Sequence, residues 1–151
     1  MNETPDPHLS REEMIDLLNE DLAREYQAII AYVVYSQTLK GAEYTSIADE
    51  LATHAAEELS HALQIAKQID YCNGTPTTIP REVKVSDKPK DMLRFDLENE
   101  QETIRHYRQR IRQAETMGEY ALSEVLRKII AQEQEHLQDL ADALGIDNPV
   151  V

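Results

Sequence analysis

Four glycines cut this chain into long stretches, and every stretch repeats apolar residues at alternating steps of four and three. That spacing keeps one face of an α-helix against its neighbours in a bundle. The stripes are Leu18, Leu22, Glu25, Ile29 and Tyr32; Ile47, Leu51, His54, Glu58, His61 and Ile65; Leu93, Leu97, Glu100, Ile104, Tyr107 and Ile111; and Leu122, Leu126, Ile129, Glu133, His136 and Leu140. Strand-like alternation is confined to a brief Val83–Val85. The spacing predicts helices near 11–40, 45–72, 90–117 and 119–144, each roughly 40 Å long at the usual rise per residue. Gly41, Gly74, Gly118 and Gly145 each follow a stripe, where a left-handed capping residue is expected. Ser10 with Glu13 reads as a capping box at the start of the first helix.

The connections predict the topology. The joints around Gly41–Tyr44 and Met117–Glu119 are short enough for antiparallel hairpins. Between the hairpins, residues 73–89 hold three of the six prolines and no helical pattern. The expected fold is therefore all-α, a four-helix bundle of two antiparallel hairpins with one long crossover between helices two and three. The chain divides into an N-terminal segment over 1–10, expected to be flexible, a bundle over 11–144, and a short tail over 145–151.

Charged residues interrupt all four stripes. A lone buried carboxylate costs several kcal/mol, of the order of a domain's whole stability. Four at one height would also repel one another. The heights agree: thirty-three residues separate Glu25 from Glu58, and thirty-three separate Glu100 from Glu133. The midpoint of each pair falls at or beside a glycine turn, so each hairpin sets its two Glu residues opposite each other. His61 follows Glu58 by three and His136 follows Glu133 by three, so one motif occurs twice. Residues three apart on a helix share a face. Four carboxylates and two imidazoles on one level suit a pair of divalent cations, with iron, manganese and zinc as the candidates. Four carboxylates also offset the four positive charges of such a pair.

Composition narrows the function classes. The formal net charge of −14 argues against binding nucleic acid through phosphates and is compatible with attracting cations. No apolar run is long enough to span a membrane. The first nine residues lack a charged-then-apolar leader pattern, and Cys72 has no partner for an internal disulfide. These features point to the cytoplasm.

The sequence resembles the ferritin-like superfamily, and within it the bacterioferritins and other prokaryotic ferritins. The resemblance covers about residues 18–144. It rests on Leu18-Asn19 with Glu25 and Tyr32, on Glu58-Leu59-Ser60-His61, on Met92-Leu93-Arg94 with Asp96 and Glu100, and on Glu133-Gln134-Glu135-His136. It implies a ferroxidase centre of two iron ions per subunit. Glu25 and His61 would bind one ion, Glu100 and His136 the other, and Glu58 and Glu133 would bridge them. It further implies oxidation of Fe(II) by dioxygen or hydrogen peroxide, with ferric mineral stored in a hollow homo-oligomer. Two features depart from the family pattern. Leu59 stands where bacterioferritins place a haem-ligating Met, so no haem is expected. No fifth helix follows the fourth, which favours a 12-subunit cage or a dimer, with the 24-subunit cage as the remaining alternative.

Other residues carry weaker expectations. Tyr32, two turns from Glu25, is placed to hydrogen-bond a ligand or pass an electron to oxygen. Asp96 would hold a ligand His by its free ring nitrogen or else be a solvated acid. His54 reads as a core or interface histidine, with a transient iron site as the alternative. Tyr107 reads as core packing, Cys72 as inert, and His8 and His106 as exposed. Against the ferritin-type store stand a rubrerythrin-like peroxidase or manganese catalase and a non-catalytic bundle. Rubrerythrins tend to carry an extra carboxylate in the third helix, and Glu98 and Glu102 fall on the wrong face for that.

Overall fold

The computed structural model describes residues 9–151. Its helices are α1 (Arg11–Thr38), α2 (Thr45–Tyr71), α3 (Pro89–Thr116) and α4 (Tyr120–Leu144), with one 3-10 turn at Ala42–Tyr44. The fold is the expected all-α bundle. Ser10 Oγ accepts from the Glu13 backbone N–H at 3.1 Å and Glu13 accepts from the Ser10 N–H at 3.3 Å, so the capping box forms. Pro89 opens α3 at a position where its missing N–H is no loss.

The glycines behave less uniformly than expected. Gly145 adopts the left-handed conformation that closes α4, with φ of 67°. At the end of α2 that role falls to Asn73, with φ of 66°, and not to Gly74. Asn tolerates this conformation better than most residues. Gly74 serves close approach instead, since a Cβ there would lie 2.6 Å from Ile15 Cγ2.

α1 packs chiefly on α2 and α3 on α4, while α1 against α3 and α2 against α4 complete the square. Tyr107 reaches Glu25 and Tyr32 reaches Glu100, so numbers rise along α1 as they fall along α3. His61 meets Gln132 and His54 meets Asp139, giving the same antiparallel register for α2 and α4. This pattern obliges the crossover to travel the bundle's length, and it does so along α1. Asn19 accepts from the Thr77 N–H and donates to the Thr75 carbonyl. Further along, Gln27 donates to the Glu82 carbonyl and Tyr35 to the Lys84 carbonyl.

Of the striped positions only Ile29 and Ile111 are half-buried; the rest are buried. The apolar core falls into two clusters. One gathers Tyr35, Leu51, Leu93 and Leu140, and the other Leu18, Leu22, Ile65 and Leu126. Between them, on all four helices, lies the charged layer.

Candidate metal centre

Each helix brings its charged residue inward because the apolar residues one turn away on the same stripe are buried. Glu25, Glu58, Glu100 and Glu133 are 1–3% exposed, and His61 and His136 are 2% and 1% exposed. They form two overlapping groups. Glu25, Glu58, His61 and Glu133 offer donor atoms all within 4.8 Å of one another, and so do Glu58, Glu100, Glu133 and His136.

The oxygens divide between the groups in an orderly way. Around His61 Nδ1 lie Glu133 Oε1 at 2.8 Å, Glu58 Oε2 at 3.2 Å and Glu25 Oε2 at 3.6 Å. Around His136 Nδ1 lie Glu58 Oε1 at 2.8 Å, Glu133 Oε2 at 3.7 Å and Glu100 Oε1 at 3.8 Å. Glu58 and Glu133 thus present one oxygen to each histidine, while Glu25 and Glu100 each face one.

Several of these buried atoms have no hydrogen-bond partner, namely Glu25 Oε2, Glu100 Oε2 and Glu133 Oε1. Glu133 Oε1 lies near His61 Nδ1 yet out of hydrogen-bonding alignment. Buried polar atoms are seldom left unpaired. Four carboxylates and two imidazoles that converge with several oxygens left unpaired fit a pair of divalent cations.

Burial and crowding set the protonation of the layer. Burial, reinforced by the neighbouring Glu133, holds Glu58 and Glu100 well above the usual carboxylate range. Burial also disfavours the charged form of Glu133, but the close approach of Glu100, His136 and His61 outweighs it and holds Glu133 well below that range. Burial lowers both histidines, yet hydrogen bonds to the carboxylates reverse the effect. His61 rises well above its ordinary value through Glu133, Glu25 and Glu58, and His136 is pushed up to about 11 through Glu100 and Glu133. Protons therefore occupy the layer as substitute cations, and metal loading would displace them.

A surrounding set of hydrogen bonds orients these groups. Tyr32 donates to Glu100 Oε1 at 2.5 Å, as expected of a residue bonded to a candidate ligand. Tyr107 donates to Glu25, so it is more than the core packing its stripe suggested. Burial keeps both phenols well above their ordinary pKa and so in the donor form.

Asp96 is neither a solvated acid nor a hydrogen-bonded holder of a histidine. It is 2% exposed and its Oδ2 has no partner. The orienting contact is made at His61 by Gln132, whose Oε1 lies 2.5 Å from His61 Nε2 and whose amide donates to Glu57. That leaves Nδ1 facing the carboxylates.

Sequence reasoning missed Gln132 because it lies off the stripe. The signal that could have found it is the α2–α4 register, which sets it opposite His61. Also missed was a buried ion cluster beside the centre, in which Asp21 accepts from Arg24 and from Arg110 Nε at 2.8 Å. Asp21 lies one turn before Glu25 and Arg110 one turn after Tyr107, so the pairing that joins those two continues here.

His54 is buried, stacks on His136 at 4.0 Å between ring centroids and meets Asp139 at 3.1 Å. Burial first, then His136, pushes its pKa down to about 4. His106 is half-buried and lies 3.6 Å from Glu102, not fully exposed as expected, because α1 residues shield one side of it. Its i, i+4 spacing from Glu102 puts both on one helix face. His8 lies outside the described residues. Cys72 caps α2 as a buried free thiol. Glu98 is exposed and Glu102 lies beside Arg81, so neither joins the layer. No helix among the described residues is long and apolar enough to cross a membrane.

Comparison with known proteins agrees with this fold. Bacterioferritins of Desulfovibrio desulfuricans and Brucella melitensis are 28% and 24% identical, over 82% and 88% of this chain and 70% and 83% of theirs. A ferritin-like, diiron-carboxylate protein from Bacillus anthracis superposes with a TM-score of 0.86 at 36% identity, covering 90% of this chain and 99% of that one. A dodecameric thioferritin, the bacterioferritin-related protein of Bacteroides fragilis, gives 0.84 at 27% identity, covering 91% and 88%. The family model for the ferritin-like domain matches residues 15–148, and with four helices closed around paired carboxylates and histidines this chain belongs to that family.

Proposed function

We propose that this protein is a ferroxidase that oxidises Fe(II) at a dinuclear centre within the subunit and stores the ferric product in a hollow homo-oligomer in the cytoplasm. The observation that carries this reading is the division of the Glu58 and Glu133 oxygens between two histidine-centred groups. Glu25 with His61 would hold one ferrous ion and Glu100 with His136 the other, both bridged by Glu58 and Glu133. Iron supplies the one-electron steps; two ferrous ions together give the electron pair that takes dioxygen to hydrogen peroxide, or peroxide to water.

The chain's own residues would act as follows. His61 and His136 lose their Nδ1 protons to solvent as cations bind. Gln132 keeps the His61 ring aimed inward. Tyr32 and Tyr107 hold Glu100 and Glu25 by their hydroxyls and stay neutral donors. The two apolar clusters exclude bulk water above and below. A surface cavity of about 320 Å³ between α2 and α4 has His61 and Gln132 in its wall, giving an oxidant a short approach.

Iron is the metal the family relationship favours, with manganese and zinc as competitors for the same donors. No haem is proposed at Leu59, whose side chain carries no donor atom. For the assembly, likeness to a dodecameric neighbour supports a cage of twelve over a dimer or a cage of twenty-four.

The test is aerobic addition of Fe(II) with ferric absorbance followed in time. A fast phase of two irons per chain is expected, and Glu58→Ala should abolish it. An unchanged rate in that variant would refute the assigned centre. Particle size after iron loading separates a store from a rubrerythrin-like or manganese-catalase-like enzyme.

A further inference from the structure

Two buried guanidinium groups share one carboxylate between α1 and α3. Arg24 is 6% exposed, and Arg110 and Asp21 are each 1% exposed. Asp21 Oδ2 accepts from Arg110 Nε at 2.8 Å, and Asp21 Oδ1 accepts from Arg110 Nη2 at 3.2 Å and from Arg24 Nη2. Among the described residues no second carboxylate pairs with either guanidinium. The cluster therefore buries one positive charge more than it balances. An unbalanced buried charge is costly, and it stands here in a chain whose net charge is −14.

Arg24 also has unused donors. A guanidinium carries five N–H groups. Arg110 spends its own on Asp21 and on Gln113 Oε1 at 2.5 Å, whereas Arg24 bonds through Nη2 alone. None of the Arg24 nitrogens is enclosed without a partner, so the free ones open on the space beside them. That space is a cavity of about 430 Å³ between α1, α3 and the crossover, lined by Arg24, Glu20, Ala23, Arg81, Glu102 and His106.

The mouth of the cavity is cationic as well. The Arg81 N–H donates to the Ala23 carbonyl at 3.1 Å, which pins the crossover to α1 and holds the Arg81 side chain at the rim. Glu102 is answered by the Arg81 guanidinium at 3.5 Å and by His106 Nε2 at 3.6 Å. Glu20 is exposed and pairs with neither arginine. The surplus charge is felt inside: burial first, then Arg24, lowers the His106 pKa.

We infer that this cavity is an anion site that takes phosphate, as the free ion or as a monoester, on Arg24 at its floor with Arg81 at its mouth. The planar guanidinium fork matches two oxygens of a tetrahedral oxyanion. The bound charge supplies the second anion that Asp21 alone does not provide. The site shares no residue with the dinuclear layer, so it stands apart from the ferroxidase reading.

The test is equilibrium dialysis of iron-free protein against radiolabelled phosphate, with ionic strength held by chloride. One phosphate per chain is expected. Arg24→Gln should abolish binding, and Arg81→Gln should weaken it roughly tenfold or more by removing a charged donor. Glu20→Gln, an exposed change, should tighten it by about two- to fivefold, because a carboxylate no longer faces the anion. Competition by adenosine monophosphate separates the sources: tighter binding of inorganic phosphate assigns the free ion, and tighter binding of the nucleotide assigns a monoester. No phosphate bound by the unaltered protein, or equal binding by Arg24→Gln, would overturn the inference. Should Arg24→Gln not fold, phosphate affinity left unchanged in both Arg81→Gln and Glu20→Gln would overturn it.

Discussion

Glu100→Gln should make the metal-free protein more stable at neutral pH while spoiling its metal binding. Glu100 is fully buried, and burial followed by Glu133 raises its pKa well above 4.5. A raised folded-state value means that the folded chain holds its proton more tightly than the unfolded chain does. The stabilising contribution is then complete below pH 4.5 and is lost as pH rises through the folded value. At neutral pH the unfolded chain releases this proton freely, and folding must take it back. Gln carries the same shape without that cost. Its carbonyl can accept the Tyr32 hydroxyl, and its amide places a donor beside the Glu133 carboxylate. Neutralising a buried acid of this kind is worth about 2 kcal/mol, or roughly 4–8 °C in Tm for a chain of this size. Thermal unfolding of chelator-treated protein, followed by circular dichroism, should show that rise at neutral pH and its disappearance toward pH 4.5. Added Co(II) should stabilise the unaltered protein far more than the variant, which lacks one anionic donor. A fall in metal-free Tm at neutral pH, or a rise of equal size at both pH values, would refute the reasoning.

Asp21→Ala should leave the Arg24 and Arg110 guanidinium groups buried without their anion, costing about 3–5 kcal/mol in urea unfolding. Gln132→Ala should lower metal affinity by roughly 10–100-fold with little change in stability, because it frees the His61 ring without emptying the core; competition with a coloured chelator measures it. Tyr32→Phe should cost about 1–3 kcal/mol in the metal-free protein, as Glu100 Oε1 loses its donor. It should also slow the fast phase of iron oxidation. Metal binding should release protons and tighten as pH rises, because His136 is pushed up to about 11 and must be deprotonated to bind; titration in weakly buffered solution at two pH values reads both effects.

The backbone was legible because a period of four and three admits one kind of element, and glycine turns at the midpoints of two equal spacings admit one pairing of those elements. Burial of the four Glu residues followed from the same spacing. What stayed hidden depends on which helix faces which across the two hairpins. The sequence sets α1 against α2 and α3 against α4 through short loops, but nothing local states that α1 also faces α3 and α2 faces α4. Hence Gln132, Glu57 and the Asp21–Arg110 pair went unseen, and Tyr107 looked like plain packing. Asn73 was missed for a different reason: a glycine one residue on drew the capping role, although its own use is to admit Ile15.

The division of the core in two explains how such a layer persists at all. A charged level that spans all four helices interrupts the contacts that hold them together, so each half must be apolar enough to close on its own side. The structure meets that demand with Leu18, Leu22, Ile65 and Leu126 on one side and Leu51, Leu93, Tyr35 and Leu140 on the other. The halves then act as two clamps that fix the spacing of the layer between them. Within the layer, shared protons hold the carboxylates together when no cation is present. Because the clamps set the geometry, loading a cation need only exchange protons for metal and need not fold the chain. It follows that the metal-free protein should keep its helices at neutral pH, and loss of helical circular dichroism on chelation would show that the apolar halves cannot close alone.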